Sequence, residues 1–351
     1  MRNDGTKGAS LPSRSAATAR AHLTALGSLP AVLEKLGVPS GPLLQQVQLR
    51  PEDFSDPERS ATFDELDRLL GACVRRTGCR HFGLLVGQSI GLESLGIAGR
   101  LARNAPTVGR ALEDLEEFFI LQDSGAVPHV SERGGSATFA YSIYATGLRN
   151  ADQIYDLALA AMLNVMRQLC GAGWRADAAL LPRGRPDNIR PYREALQAPL
   201  RFDAMQAGLQ FPSRWLQRPI AGADPLLHRL LEDRASLDRS QVSPFLHNDV
   251  RRAIRALLTT GECCREAVAR RLNMHPRTLV RRLNETGTTY QALLDDMRAQ
   301  IAKQLLHDTR SPVSRIAASL GFGDPTVFTR SFRRWTGLSP REFRAALPDR
   351  W

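Results

Sequence analysis

Two short stretches near the carboxyl end carry arginine and threonine at spacings that suit reading duplex DNA. In Pro276-Arg277-Thr278-Leu279-Val280-Arg281-Arg282-Leu283, Arg277 and Arg281 lie four residues apart, so on a helix they share a face. Leu279 and Leu283 fall on the other, apolar side. A guanidinium can bond O6 and N7 of one guanine together, a geometry that lysine does not match. Arg277 and Arg281 are therefore the candidates for base-edge contact and Val280 the candidate for a thymine methyl, with Thr278 and Arg282 as further DNA contacts. In the second stretch, Pro325 to Trp335, Thr326 and Arg330 take the equivalent exposed face, with Thr329 and Arg333 beside them. Arg333 and Arg334 suit phosphate or solvent better than a base edge. Trp335 follows Phe328 and Phe332 at helical spacing, which suits a core better than a stacking platform.

Each stretch needs a rigid mount, and the sequence supplies the same mount twice. Val268-Ala269-x-x-Leu272-Asn273-Met274 matches Ile316-Ala317-x-x-Leu320-Gly321-Phe322. Leu279-x-Arg281-x-Leu283 matches Phe328-x-Arg330-x-Phe332, and Thr286-Gly287 matches Thr336-Gly337. In each copy a short helix ends at a residue that tolerates left-handed backbone, Asn273 or Gly321. A second helix then restarts; in the later copy Asp324 is the expected N-cap and Pro325 the first helical residue. Between the copies, Tyr290, Leu293, Leu294, Met297, Ile301 and Leu305 mark one face of a helix from Thr289 to Leu306. At ~1.5 Å per residue that rod is roughly 27 Å long. It can set two reading helices about one DNA turn, ~34 Å, apart on one face of the duplex.

The stretch from about Asn248 to Leu347 resembles the DNA-binding domain of the AraC/XylS transcriptional regulators. The resemblance rests on Ile316-Ala317-x-x-Leu320-Gly321-Phe322-x-Asp324-x-x-x-Phe328-x-Arg330-x-Phe332-Arg333-Arg334-Trp335-x-Gly337-x-x-Pro340. It departs from the family pattern at Gly323, usually a small polar residue, and at His275, usually an N-cap serine. The resemblance implies two helix-turn-helix motifs, with weaker base specificity in the second. It also implies double-stranded promoter or operator DNA and RNA polymerase as partners, and a homodimer as an option.

Composition agrees with that reading and excludes others. Net charge is +11 over 351 residues. From Pro244 to Trp351 there are 19 Lys+Arg against 10 Asp+Glu, while the rest of the chain is nearly balanced. All but Lys303 of those basic residues are arginine, interleaved with core positions, which disfavours a membrane-surface role. No apolar run approaches the ~20 residues that cross a bilayer, and no secretory signal appears. The five cysteines, at 73, 79, 170, 263 and 264, form no CxxC pair or zinc spacing, which fits reduced thiols and a cytoplasmic location. The scattered histidines at 22, 81, 129, 228, 247, 275 and 307 give no metal-ligand spacing. There is no GxSxG elbow and no phosphate-binding GxxxxGK[ST] loop. Carboxylate pairs such as Glu116-Glu117 and Asp295-Asp296 read as solvated helix surface. No enzyme activity, metal or cofactor is therefore expected.

Residues 1–24, small and polar, read as a disordered tail. Helices are expected over Leu29–Leu36, Val38–Val47, Phe63–Val74 with Thr62 as cap, after Thr107, and over Ala151–Leu169. Ala126–Glu132 and Ala137–Tyr144, joined through Arg133-Gly134-Gly135, read as a hairpin. Strands are expected at Trp174–Leu181 and Leu209–Phe211, with a helix beginning at Pro191 between them. Phe82-Gly83-Leu84-Leu85-Val86-Gly87, Leu95-Gly96-x-x-Gly99, Pro106-Thr107-x-x-x-Ala111-Leu112, Tyr192-Arg193 and Pro199-x-x-Phe202 resemble the arabinose-binding type of N-terminal domain in one branch of the same family. That implies effector sensing or self-association without fixing a ligand.

The expected architecture has two domains. Residues 25–220 form an α+β effector-binding or oligomerisation domain, and 221–245 a connector with a short helix after Asp224-Pro225 and a polar break at Ser240–Pro244. Residues 246–348 form an all-α domain with two helix-turn-helix motifs joined by a linker helix. The expected function is a sequence-specific DNA-binding transcription regulator, activator or repressor, under small-molecule control. The alternatives are an enzymatic or repair N-terminal domain with accessory DNA binding, and a purely architectural DNA binder. A methyl-acceptor repair module would need a four-cysteine zinc cluster, which this cysteine spacing does not offer.

Overall fold

Two separate hydrophobic cores organise the chain, one drawn from Ala19 to Ala235 and one from Val250 to Phe332. The structure is a computed structural model that describes residues 19–143, 145, 147–242, 246–261 and 263–346.

The first body begins with strand β1 (Arg20–His22), antiparallel to β2 (Ser60–Thr62), with α1 (Leu29–Lys35) and α2 (Ser40–Gln45) between them. Helix α3 (Phe63–Thr77) starts at a capping box: Thr62 Oγ1 accepts from Glu65 N–H at 3.2 Å and Glu65 Oε2 accepts from Thr62 N–H at 2.7 Å. Then come α4 (Phe82–Gly87), α5 (Gly96–Asn104) and α6 (Val108–Phe118), the last capped by Thr107. The hairpin of β3 (Ala126–Arg133) and β4 (Ser136–Ile143) turns at Gly134 and Gly135, both at positive φ, as a two-residue hairpin requires. Helix α7 (Ala151–Cys170) crosses the body; β5 (Ala178–Leu180), α8 (Arg190–Leu196), β6 (Leu200–Arg201) and β7 (Ala207–Pro212) complete it. The sheet order is β3-β4-β7-β5-β6, antiparallel except for β5 with β6. Gly83 and Gly87 let α4 lie directly on α7: a Cβ at either would collide with the carbonyl oxygen of Gln153 or Leu157.

Several sequence expectations change here. Order begins by Ala19, because β1 pairs with β2 across the chain; of the expected tail, residues 1–18 lie outside the described residues. The strand expected over 174–181 is only Ala178–Leu180. Trp174 instead packs its ring edge-on to Phe211 at 5.6 Å. The connector is not a short helix but α9 (Pro225–Val242), whose Ala235 is fully buried in the first core. Of the expected polar break at Ser240–Pro244, residues 240–242 belong to α9 and residues 243 and 244 lie outside the described residues.

The second body is all helical: α10 (Leu246–Thr260), α11 (Arg265–Arg271), α12 (Pro276–Glu285), α13 (Tyr290–Asp308), α14 (Val313–Ser319), α15 (Pro325–Thr336) and α16 (Pro340–Ala345). Leu279 and Leu283 of α12 share one core with Phe328 and Phe332 of α15 through Met297, Ile301 and Leu305 of α13. No helix among the described residues is long and apolar enough to cross a membrane.

Candidate nucleic-acid interface

The two mounts repeat in geometry as well as in sequence. Asn273 sits at φ +51° and Gly321 at φ +77°, each ending the first helix of its pair. In each, the next residue reaches back to the matching alanine of the repeat: Met274 N–H to Ala269 O at 2.9 Å, Phe322 N–H to Ala317 O at 3.0 Å. The second helices then start on side-chain caps. Asp324 Oδ1 accepts from Thr326 N–H at 2.7 Å, and His275, at the usual serine position, accepts from Arg277 N–H through Nδ1 at 3.2 Å. Cys264 caps α11 by accepting from Ala267 N–H at 3.4 Å.

On α12, Arg277, Arg281 and Arg282 are exposed, Thr278 and Val280 half-buried, and Leu279 and Leu283 fully buried. Arg277, Val280 and Arg281 line one shallow groove with Arg265 and Asn284. Arg265 and Asn284 escaped the sequence reading. Arg265 opens the mounting helix, and the helix-turn-helix arrangement brings that end beside the reading helix. Arg281 is held by Glu285 one turn on, at 3.1 Å.

On α15, Thr326 and Arg330 are exposed, as is Val327, which the sequence reading passed over. The Thr329 hydroxyl donates to Pro325 O at 2.9 Å, so its proton serves its own helix. Arg333 faces Glu342 of α16 at 3.3 Å, and Arg334 reaches Asp295 of α13 at 3.0 Å. Trp335 is half-buried, its ring 6.1 Å from that of Phe322. The first head thus presents more unengaged guanidinium than the second.

Helix α13 is pinned to α10 and to the second head. Asp296 accepts from Arg251 of α10 at 2.9 Å. Arg298 donates to Leu320 O at 2.9 Å and stacks over Phe322 at 4.6 Å from the ring centre. The pair Asp295-Asp296, expected to be solvated, is therefore half-buried and ion-paired to α15 and α10. Glu116 of α6 is likewise half-buried and paired with Arg271, whereas Glu117 is exposed, as expected, and pairs with Arg239 of α9.

The Glu116–Arg271 pair joins the two bodies. Arg271 lies beside the first turn, and Asn273 and Met274 line a polar cleft with Glu113 and Glu117. On α7, Tyr155 bonds Gln304 of α13. At the far end of α13, Asp203 accepts from Arg310 N–H at 2.7 Å and Gly184 N–H donates to Asp308 O at 3.1 Å. Buried Arg183 holds this loop to α7 by bonding Asp156 at 2.7 Å, with Tyr192 OH on the same oxygen at 2.7 Å. Burial lifts the Asp156 carboxyl to about 6 despite Arg183 beside it.

Residues 37–220 match the model for the arabinose-binding domain of AraC transcription regulators, N-terminal, and residues 268–346 match a helix-turn-helix domain. The HTH-type transcriptional regulator VirS of Mycobacterium tuberculosis is 30% identical over 316 residues, covering 90% of this chain and 93% of that protein. The chain is an AraC-type transcriptional regulator. The ornithine utilization regulator of Pseudomonas aeruginosa is 29% identical to it, over 90% of this chain and 93% of that one. The crystal structure of CdpR from P. aeruginosa aligns over 91% of the regulator and 96% of that chain, at 22% identity and a TM-score of 0.46. Regulators of this type join an effector-responsive N-terminal domain to a helix-turn-helix DNA-binding domain, and both are matched here.

Proposed function

We propose that the regulator reads an operator with Arg277, Arg281 and Val280 of the first head, and with Thr326 and Arg330 of the second. Arg282, Thr278, Thr329 and Arg333 lie on the flanks of these faces and meet the backbone. Residues 246–348 form the DNA-binding domain, 25–220 the effector or oligomerisation domain, and 221–245 the connector. The observation that carries this is the pair of equally built turns, Asn273 and Gly321, mounting two Arg/Thr faces on one core. The stronger base readout belongs to the first head, where Arg277 and Arg281 share a groove free of any acidic residue but Glu285. Cytoplasmic location, contact with RNA polymerase and dimerisation follow from the same regulator reading.

The test is selection of duplexes from a randomised pool by the full chain, followed by footprinting of the selected sequence. Two protected major-groove segments about one turn apart on one DNA face are expected. Equal affinity for selected and random duplexes at physiological salt would favour architectural binding and overturn the reading.

A further inference from the structure

The first core holds a cavity of about 100 Å³. Its walls are almost wholly apolar, with Phe63 and Leu66 of α3, Phe139 of β4, and Ile154, Ala158 and Met162 of α7 among them. Four polar side chains reach it: His22, Gln122, Asp123 and Tyr141. Three are already engaged. His22 Nδ1 lies 2.9 Å from Pro57 O. Asp123 accepts from the N–H groups of Gly125 and Ala126 at 2.8 and 3.1 Å and from the Tyr141 hydroxyl at 3.1 Å. Gln122 differs: its Nε2 is buried and has no hydrogen-bond partner among the described residues. A buried amide donor without an acceptor is rare and destabilising, and this one lies at the wall of a void.

The geometry points to a binding site for a small, uncharged, apolar molecule that carries one hydrogen-bond acceptor, received by Gln122 Nε2. No lysine or arginine lines the cavity, so an anionic ligand would enter without a counter-charge. An ammonium would have to shed its hydration among apolar walls with Asp123 as its one acidic neighbour, a carboxyl that already accepts three hydrogen bonds and that burial disposes to stay protonated. Size sets a further limit. An apolar cavity of ~150 Å³ accommodates benzene, so this one, at two-thirds that volume, takes about four non-hydrogen atoms as it stands and a six-membered ring only when a flexible wall residue such as Met162 moves aside.

The inference rests on the reading of the regulator as effector-controlled, and the walls supply a route for that control. Helix α6 turns Leu115 to the cavity and Glu116 to Arg271 of the second body. Helix α7 turns Ile154 and Ala158 to the cavity and Tyr155 to Gln304 of α13. Strand β3 turns Pro128 to the cavity and Val127 to the cleft between the bodies. A ligand that moves these walls moves groups that grip the DNA-binding domain.

The experiment is ligand-detected NMR on the full chain with four probes of matched ring size: cyclohexanone, cyclohexane, cyclohexylamine and cyclohexanecarboxylate. Cyclohexanone is expected to bind with a dissociation constant on the order of 0.1–1 mM, cyclohexane several-fold more weakly, and the two ions not detectably. Gln122→Leu should erase the preference for the ketone over the hydrocarbon. Ala158→Leu should fill the void and abolish binding of both; Ala161→Leu, in the same wall, replaces it if circular dichroism shows that variant unfolded. Saturating cyclohexanone should change affinity for the selected duplex by fivefold or more, in either direction. Binding of either ion as tight as that of the ketone, binding that survives the filled cavity, or saturation without change in DNA affinity would each overturn the assignment. A ligand-free chain that ignores duplex DNA would instead sink the proposed function, since the NMR measurement contains no DNA.

Discussion

Replacing Arg281 by alanine separates base readout from charge. The Arg281 side chain is 67% exposed and engaged with Glu285 at 3.1 Å. At that exposure an i,i+4 pair contributes roughly 0.2–0.5 kcal/mol. A bidentate contact to a guanine edge discriminates by about 1–3 kcal/mol. DNA is therefore expected to win Arg281 from Glu285, and the loss of that competition to reduce the net penalty only slightly. Arg281→Ala should weaken binding to the selected duplex about 3- to 100-fold and level base preference at one position. Glu285→Ala should tighten binding a few-fold, because it frees the guanidinium and removes an anion from the groove. Arg281→Lys keeps the charge and loses the fork, so it should resemble alanine in base preference and wild type in salt dependence. Anisotropy titrations against single-base variants at several salt concentrations read all three. A loss that is uniform across sequences, with the log–log salt slope falling by ~0.9, would assign Arg281 to a phosphate and refute base readout.

Phe332 is fully buried between Phe328 and Phe343, ring centres 5.7 and 5.5 Å away, so Phe332→Ala should destabilise the second body by about 3–5 kcal/mol in urea titration; a change under 1 kcal/mol would contradict the shared core. Gly321→Ala forces a Cβ into φ +77° and should cost about 1–2 kcal/mol by the same measurement, with Gly321→Asn costing less, since Asn273 already does this task at φ +51°. Burial lifts the Asp123 carboxyl from 3.8 to about 7, only partly countered by its hydrogen bonds to Gly125, Tyr141 and Ala126. The folded chain thus keeps a proton the unfolded chain releases, and that contribution is complete below pH 3.8 and lost as pH rises through about 7. Wild type should lose on the order of 2–4 kcal/mol more than Asp123→Asn between pH 4 and 7. His129, pushed down to about 4 by burial with Arg255 nearby, acts with the opposite sign but is common to both proteins. Superimposable pH profiles would rule out a buried, protonated Asp123.

What the sequence discloses is what local chemistry dictates. The C-terminal turns need residues that accept positive φ, so Asn273 and Gly321 mark them. Caps need short acceptors, so Asp324 and Thr289 mark helix starts. Periodicity places Leu279, Leu283, Phe328 and Phe332 inside, and each is buried. Failures come where the determinant lies far along the chain. Gly83 and Gly87 disfavour an isolated helix, yet they belong to α4, where α7 passes too close for a Cβ. Strand β1 is three residues long and exists through β2, forty positions away in register. Glu116 looks solvated because Arg271, which faces it, is more than a hundred residues distant. Gln122 gives no local sign at all; its significance comes from the void beside it.

The placement of the inter-body contacts constrains how regulation can work. Both reading helices and α13 are parts of one core, and separating them would expose Leu279, Phe328 and Met297 at a cost of several kcal/mol. The first body grips this unit at two ends: Glu116 at Arg271 beside the first turn, and Asp203 with Gly184 at residues 308–310 before the second head. Each such contact contributes about 0.5–1.5 kcal/mol, so the set is comparable to ordinary coupling free energies of about 1–3 kcal/mol. A signal from the first body is therefore strong enough to shift the docking of the whole strut and too weak to bend it. On this account the spacing between the heads is a fixed property of the second core. Control acts on whether the pair, as one rigid piece, is free to meet DNA.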